Sequence, residues 1–139
     1  MIDWLVDVHL KFKLLSETLF LTINLIDRFL SAKQVERAKL QLLGVSAMLI
    51  STKYEEIYPP TVKDFVYITD NAYSKQEVLD MESEVLSTLD FDISQTSCYR
   101  FLERYTKVMR ADSVTFYLAQ YVLELGLLDS KMSKFLPSE

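Results

Sequence analysis

Between Glu36 and Glu56 the chain reads ERAKLQLLGVSAMLISTKYEE, a helix-length run with almost no room for a polar face. At about 100° per residue, Leu42, Leu43, Val45, Met48, Leu49 and Ile50 point in every direction, and a helix apolar all round belongs inside other helices. Gly44, Ser46, Ala47 and Ser51 are small enough to let neighbouring backbones approach. Those same residues interrupt the run well short of the roughly 20 apolar residues that a bilayer span needs. The stretch therefore predicts the central buried helix of an all-α domain. Lys53 complements the negative end of its macrodipole, whereas Glu55 and Glu56 oppose it unless the helix has ended or an outside group pairs them. That end is a candidate partner surface.

The flanking segments read as further helices. Ile2 to Phe12 places Leu5, Val8 and Phe12 on one side with Trp4 nearby, and Ser16 is suited to cap a largely buried helix from Glu17 to Leu30. Pro59-Pro60 forces the chain out of helix and precedes a new one from Thr61 to about Ile68. Residues 70 to 73 form a turn. Ser74-Lys75-Gln76-Glu77 is a capping box that starts a helix running to about Leu89. The pattern lapses from Phe91 to Thr96, which puts a boundary near Asp92 and divides the chain into 1–92 and 93–139. Two more helices follow, from Ser97 to about Met109 and from Asp112, as N-cap, to about Leu128.

One acid breaks an otherwise consistent pattern. On the helix after Ser74, Leu79, Met81, Val85, Leu86 and Leu89 share one arc, and Glu82 falls inside it while the other polar residues lie opposite. Either its own fold satisfies it, through a backbone amide or a lysine, or a partner does.

Composition narrows the function. Half of the 139 residues are hydrophobic, so the chain can bury a core. The balance of 20 acidic to 15 basic residues, net −5, disfavours a phosphate-binding surface and points to a protein partner. A single cysteine, Cys98, rules out an internal disulfide and fits an intracellular compartment. Catalysis finds little material: one histidine, His9, in an amphipathic helix, no histidine near Cys98, and two glycines, both inside helical patterns, which build no phosphate loop. Glu55 and Glu56 do not face a common centre. Neither a metal site nor a cofactor is expected.

Several strings carry a family resemblance. KLQLLGVSAMLISTKYEEIYPP, the DFVYITDNAY after it, IDWLVDVHLKFKLL, ETLFLTINLIDRFL and VLDMESEVLSTLDFDI resemble, in order, the helices of the cyclin box, most of all in mitotic B-type cyclins. SCYRFLERYTKVM, VTFYLAQYVLELGLLD and the terminal KFLPS resemble the first two helices of a second box and the start of its third. The chain opens at Met1 inside a helical pattern, without the tail of mitotic cyclins, and so reads as a fragment. The resemblance implies a non-catalytic regulatory subunit of a cyclin-dependent kinase, acting at G2/M in nucleus and cytoplasm. Lys53 and Glu82 match the family residues that grip the kinase, with Glu55 and Glu56 beside them. Trp4, Asp7, Leu40 and Gln41 match part of the patch that receives substrate or inhibitor docking peptides, although the MRAIL motif of that patch would lie before Ile2. Two other readings are a transcription-factor-type cyclin box, disfavoured by the negative charge, and an all-helical enzyme.

Overall fold

The computed structural model describes residues 1–129, 132, 135, 137 and 138. Among them are seven α-helices, one short 3-10 helix and no strand: α1 (Ile2–Phe12), α2 (Ser16–Ala32), α3 (Leu40–Glu55), α4 (Val62–Ile68), α5 (Lys75–Thr88), α6 (Cys98–Met109) and α7 (Ser113–Gly126). The chain forms two compact units, Asp3–Gln95 and Thr96–Glu139.

In the first unit α3 is the hub, as its all-round apolarity predicts. Every residue from Leu42 to Thr52 is buried, and the helix packs against both α2 and α5. The small residues do the expected work. A Cβ on Gly44 would lie 3.4 Å from Leu5 Cδ2, so α1 rests on the glycine. Ser46 Oγ donates to the Val78 carbonyl of α5 at 3.1 Å, while Ser51 and Thr52 donate to carbonyls of their own helix. Hydroxyls can therefore sit in the core without leaving a polar group unmatched. Phe29 and Phe65 are among the largest fully buried side chains, and Phe65 also meets Phe12 of α1 edge-on at 5.3 Å. Burying side chains of this size contributes roughly 1.5–3 kcal/mol each.

Helix starts show where local signals suffice. Ser74 and Glu77 form the capping box expected at α5. Thr61 and Asp64 form another at α4, so that helix begins one residue later than Pro60 alone suggested. Asp112 caps α7 by accepting from the Thr115 N–H, and Ser97 caps α6. Two expectations are corrected. Ser16 is the first residue of α2 and Leu15 is the N-cap. The central helix does not begin at Glu36, because Arg37–Lys39 make a separate 3-10 turn before α3.

Six residues take left-handed backbone: Lys13, Asp70, Asn71, Asp90, Phe91 and Arg110. None is glycine. Lys13 ends α1 and Arg110 ends α6.

The second unit, described by itself, pairs α6 with α7. Phe116 stacks edge-on with Tyr99 at 6.2 Å and with Tyr117 at 5.6 Å. Leu102 is the buried residue of α6, and α7 has none among the described residues. Of the terminal KFLPS, expected to open a third helix, Lys134 and Leu136 lie outside the described residues, and Phe135, Pro137 and Ser138 are not helical.

Candidate functional site

Helix α3 ends at a surface built from three layers of sequence information. Its buried body fixes the helix between α2 and α5. Its last turn carries Lys53 outward, with the side chain 48% exposed, while Glu82 on α5 has a side chain only 11% exposed. Lys53 Nζ donates to both Glu82 carboxylate oxygens, at 2.7 and 2.9 Å. This answers the question posed by an acid within an apolar arc: the fold satisfies Glu82 with a lysine from the neighbouring helix. The bond is charge-assisted and two-pronged, but half of it faces water, so its attraction is screened.

Beyond Lys53 the surface turns apolar. Tyr54 is 50% exposed, Ile57 85% and Tyr58 92%. These residues were not singled out from the sequence, although a usable signal was present: three large side chains past the last buried turn, cut off by Pro59-Pro60 before periodicity could bury them.

The two neighbouring acids part company. Glu55 is half-buried at the end of α3, and its carboxylate makes no ion pair or hydrogen bond within the described residues. Glu56 turns back into its own unit. Its Oε1 accepts from the Leu15 N–H at 2.8 Å and from the Thr18 hydroxyl at 2.6 Å. That carboxylate caps α2, the job that Ser16 was expected to do, and it sits favourably at the positive end of the helix.

The four residues of the expected docking patch are accessible in different degrees. Asp7 is exposed; Trp4, Leu40 and Gln41 are half-buried. Leu5, beside Trp4, rests on Gly44, and Leu40 lies one helical turn before that glycine.

Other titratable groups are explained by caps and burial. The Thr61 hydroxyl and backbone hold the Asp64 carboxyl below its ordinary range. The Ser74 backbone and hydroxyl do the same for Glu77, as do the Thr115 hydroxyl and backbone for Asp112. Partial desolvation pushes up the carboxyl of Asp27, an exposed residue, and the thiol of half-buried Cys98. His9 is buried in α1. Among the described residues there is no group of three or more His, Cys, Asp or Glu placed to hold a metal, and no helix long and apolar enough to cross a membrane.

Comparison with known proteins agrees with this architecture. Residues 1–94 match the cyclin N-terminal domain and residues 96–139 the cyclin C-terminal domain. The chain is 50% identical over 139 residues to a G2/mitotic-specific cyclin-B of Arbacia punctulata, covering all of this chain and 34% of that protein. It is 51% identical over 138 residues to cyclin-B2-1 of Arabidopsis thaliana, covering 99% of this chain and 32% of that protein. It thus spans about a third of the length of these relatives. A viral cyclin from herpesvirus saimiri superimposes with a TM-score of 0.89 at 21% identity, over 98% of this chain and 61% of the other, which shows the fold. With both domain matches running in order from end to end, the chain belongs to the cyclin family and is similar to its G2/mitotic B-type members.

Proposed function

We propose that this chain acts as a regulatory subunit that binds and activates a cyclin-dependent Ser/Thr protein kinase at G2/M, in nucleus and cytoplasm, and catalyses nothing itself. The observation that carries the reading is the Lys53–Glu82 pair beside exposed Tyr54, Ile57 and Tyr58. A half-exposed ion pair offers directional hydrogen-bonding capacity, and the apolar rim offers area, the combination that protein interfaces concentrate in a few anchors. The Glu55 carboxylate, unpaired among the described residues, remains available to a partner, whereas Glu56 contributes by fixing α2.

In this reading Lys53 and Glu82 hydrogen-bond to main-chain groups flanking the kinase's regulatory helix. They hold it inward, so that a lysine–glutamate pair of the kinase positions the ATP phosphates. The bound subunit favours a kinase conformation and thereby shifts a population. A second surface, formed by Trp4, Asp7, Leu40 and Gln41, receives basic-hydrophobic docking segments, with Asp7 pairing a base. The net charge of −5 supports a protein partner over nucleic acid. No observation favours a transcription-factor-type box or a helical enzyme.

The test is co-purification of the chain with a purified cell-cycle kinase, followed by a phosphorylation assay. Binding and activation that fall at least about tenfold in Lys53→Ala, with helical content retained, support the proposal. Undiminished activation by Lys53→Ala would defeat it.

A further inference from the structure

Six of the eight tyrosines lie in helices, in α3, α4, α6 and α7. Tyr73 lies outside a helix, but it is half-buried and its hydroxyl donates to the Ala38 carbonyl at 3.0 Å. Tyr58 differs from all of them. It stands three positions beyond the end of α3, it is 92% exposed, and its hydroxyl makes no hydrogen bond within the described residues.

Its backbone setting matters as much as its exposure. An enzyme that modifies a tyrosine must lay the flanking chain along its own cleft, and a helical segment first has to break its internal hydrogen bonds to comply. Ile57 and Tyr58 make no backbone–backbone hydrogen bond among the described residues, and Pro59 and Pro60 have no N–H to tie up. The segment is nonetheless held at both ends. The Glu56 N–H donates to the Thr52 carbonyl and its carboxylate is fixed by Leu15 and Thr18, while the Thr61 N–H donates to Asp64. The result is a short presented loop with the Glu55 carboxylate three positions before the tyrosine, Glu56 being turned inward. A basic substrate cleft complements that stretch.

We propose that Tyr58 is a phosphorylation site for a protein tyrosine kinase, and that phosphate there closes the surface around Lys53 and Glu82 to its partner. The second half rests on the kinase-binding function proposed above. In the transfer, Tyr58 Oη attacks the γ-phosphorus of magnesium ATP. The Oη–P bond forms as the bond from the γ-phosphorus to the β–γ bridging oxygen breaks; ADP leaves and the phenolic proton passes to the enzyme's base. The product carries a charge of about −1.5 to −2 at neutral pH, three residues from Glu55 and among exposed apolar side chains. Like-charge repulsion and the desolvation of a phosphate both oppose docking.

The experiment incubates the full chain with a recombinant tyrosine kinase domain and magnesium ATP and maps phosphate by mass spectrometry. Tyr58 is expected to label at least about tenfold faster than any of the other seven tyrosines, because the helical ones need local opening first. Comparable labelling of Tyr54 or Tyr67, or no labelling of the folded chain when the urea-unfolded chain is labelled, overturns the site. Tyr58→Phe should remove this label and leave the melting curve in place. The singly phosphorylated chain is then compared with the unmodified one for binding to a purified cyclin-dependent kinase, with at least about tenfold weakening expected. Equal binding overturns the regulatory half while the mapped site stands. If the unmodified chain itself fails to bind, the proposed function fails and takes the regulatory half with it; the mapping still decides the site.

Discussion

Lys53 and Glu82 stand 29 residues apart in sequence, and the lysine ammonium lies 2.7 and 2.9 Å from the two oxygens of the glutamate carboxylate. The acid is 9% exposed, while the lysine side chain is half in water. Removing the acid therefore leaves a cation that can turn outward, and leucine extends an apolar arc already formed by Val78, Met81 and Val85. Glu82→Leu should change stability by no more than about 1 kcal/mol, and a double-mutant cycle with Lys53→Ala should give a coupling of about 0.2–1 kcal/mol. Kinase association should fall at least about tenfold in either single variant. A Glu82→Leu protein that melts early yet activates in proportion to its folded fraction would return this pair to a purely internal role.

Glu56 predicts the opposite balance. Its Oε1 accepts from a backbone N–H and from the hydroxyl of fully buried Thr18, so Glu56→Ala leaves both donors without their acceptor at once. The expected cost is about 1–3 kcal/mol, the cost of leaving such donors unmatched. Urea unfolding reads it directly; a midpoint within error of the parent would show that water replaces the carboxylate without loss.

Acid should loosen the helix starts. Asp64, Glu77 and Asp112 accept hydrogen bonds that keep their carboxyls below the ordinary values of 3.8, 4.5 and 3.8. A folded-state pKa below the unfolded one stabilises the fold above the unfolded value, and that contribution disappears as pH falls through the folded one. Thermal midpoints should thus decline below about pH 4.5. Ser74→Ala, which lowers stability by about 1 kcal/mol at neutral pH, should shrink the decline. An unchanged slope in that variant would assign acid sensitivity elsewhere.

Asp27 runs the other way. Partial desolvation lifts the carboxyl of this exposed residue above 3.8, so the folded state mildly prefers the protonated acid, and this preference turns into a small, solvent-screened penalty as pH rises through the folded-state value. Asp27→Asn should raise the melting temperature at pH 7 and have no such effect near pH 3. A variant that melts lower at pH 7 would mean that the ionised group is used by the fold.

Much of the fold was legible because its signals are local or periodic. The all-round apolarity of Leu42 to Ile50 announced a buried hub, and Ser74-x-x-Glu77 fixed the start of α5. The position of Glu82 inside an apolar arc leaves an internal amide or lysine and an outside partner open, and the fold supplies the internal lysine. The cap on α2 was not legible. Ser16 has the right chemistry in the right place, but Glu56, 41 residues beyond Leu15, supplies the acceptor, and no local pattern encodes so distant a contact. The Thr61–Asp64 box is overshadowed in the sequence by Pro60, which by itself accounts for a helix start. Likewise, three exposed side chains after Lys53 carry no period by which their fate could be read.

The left-handed residues at the helix ends bear on how far this protein stands from its own stability ceiling. An L-residue in that conformation costs about 1–2 kcal/mol relative to the right-handed one, a strain that glycine does not feel. Lys13 and Arg110 end α1 and α6 in this way, while Gly126 is the last residue of α7, where it keeps helical backbone and is worse than alanine by less than the roughly 1 kcal/mol of a helix interior. Exchanging these preferences, with Lys13→Gly, Arg110→Gly and Gly126→Ala, should add about 0.5–1 kcal/mol per change. A lower unfolding midpoint for each single variant would contradict it. The sequence thus carries unused thermodynamic headroom, open to redesign without touching a single core contact.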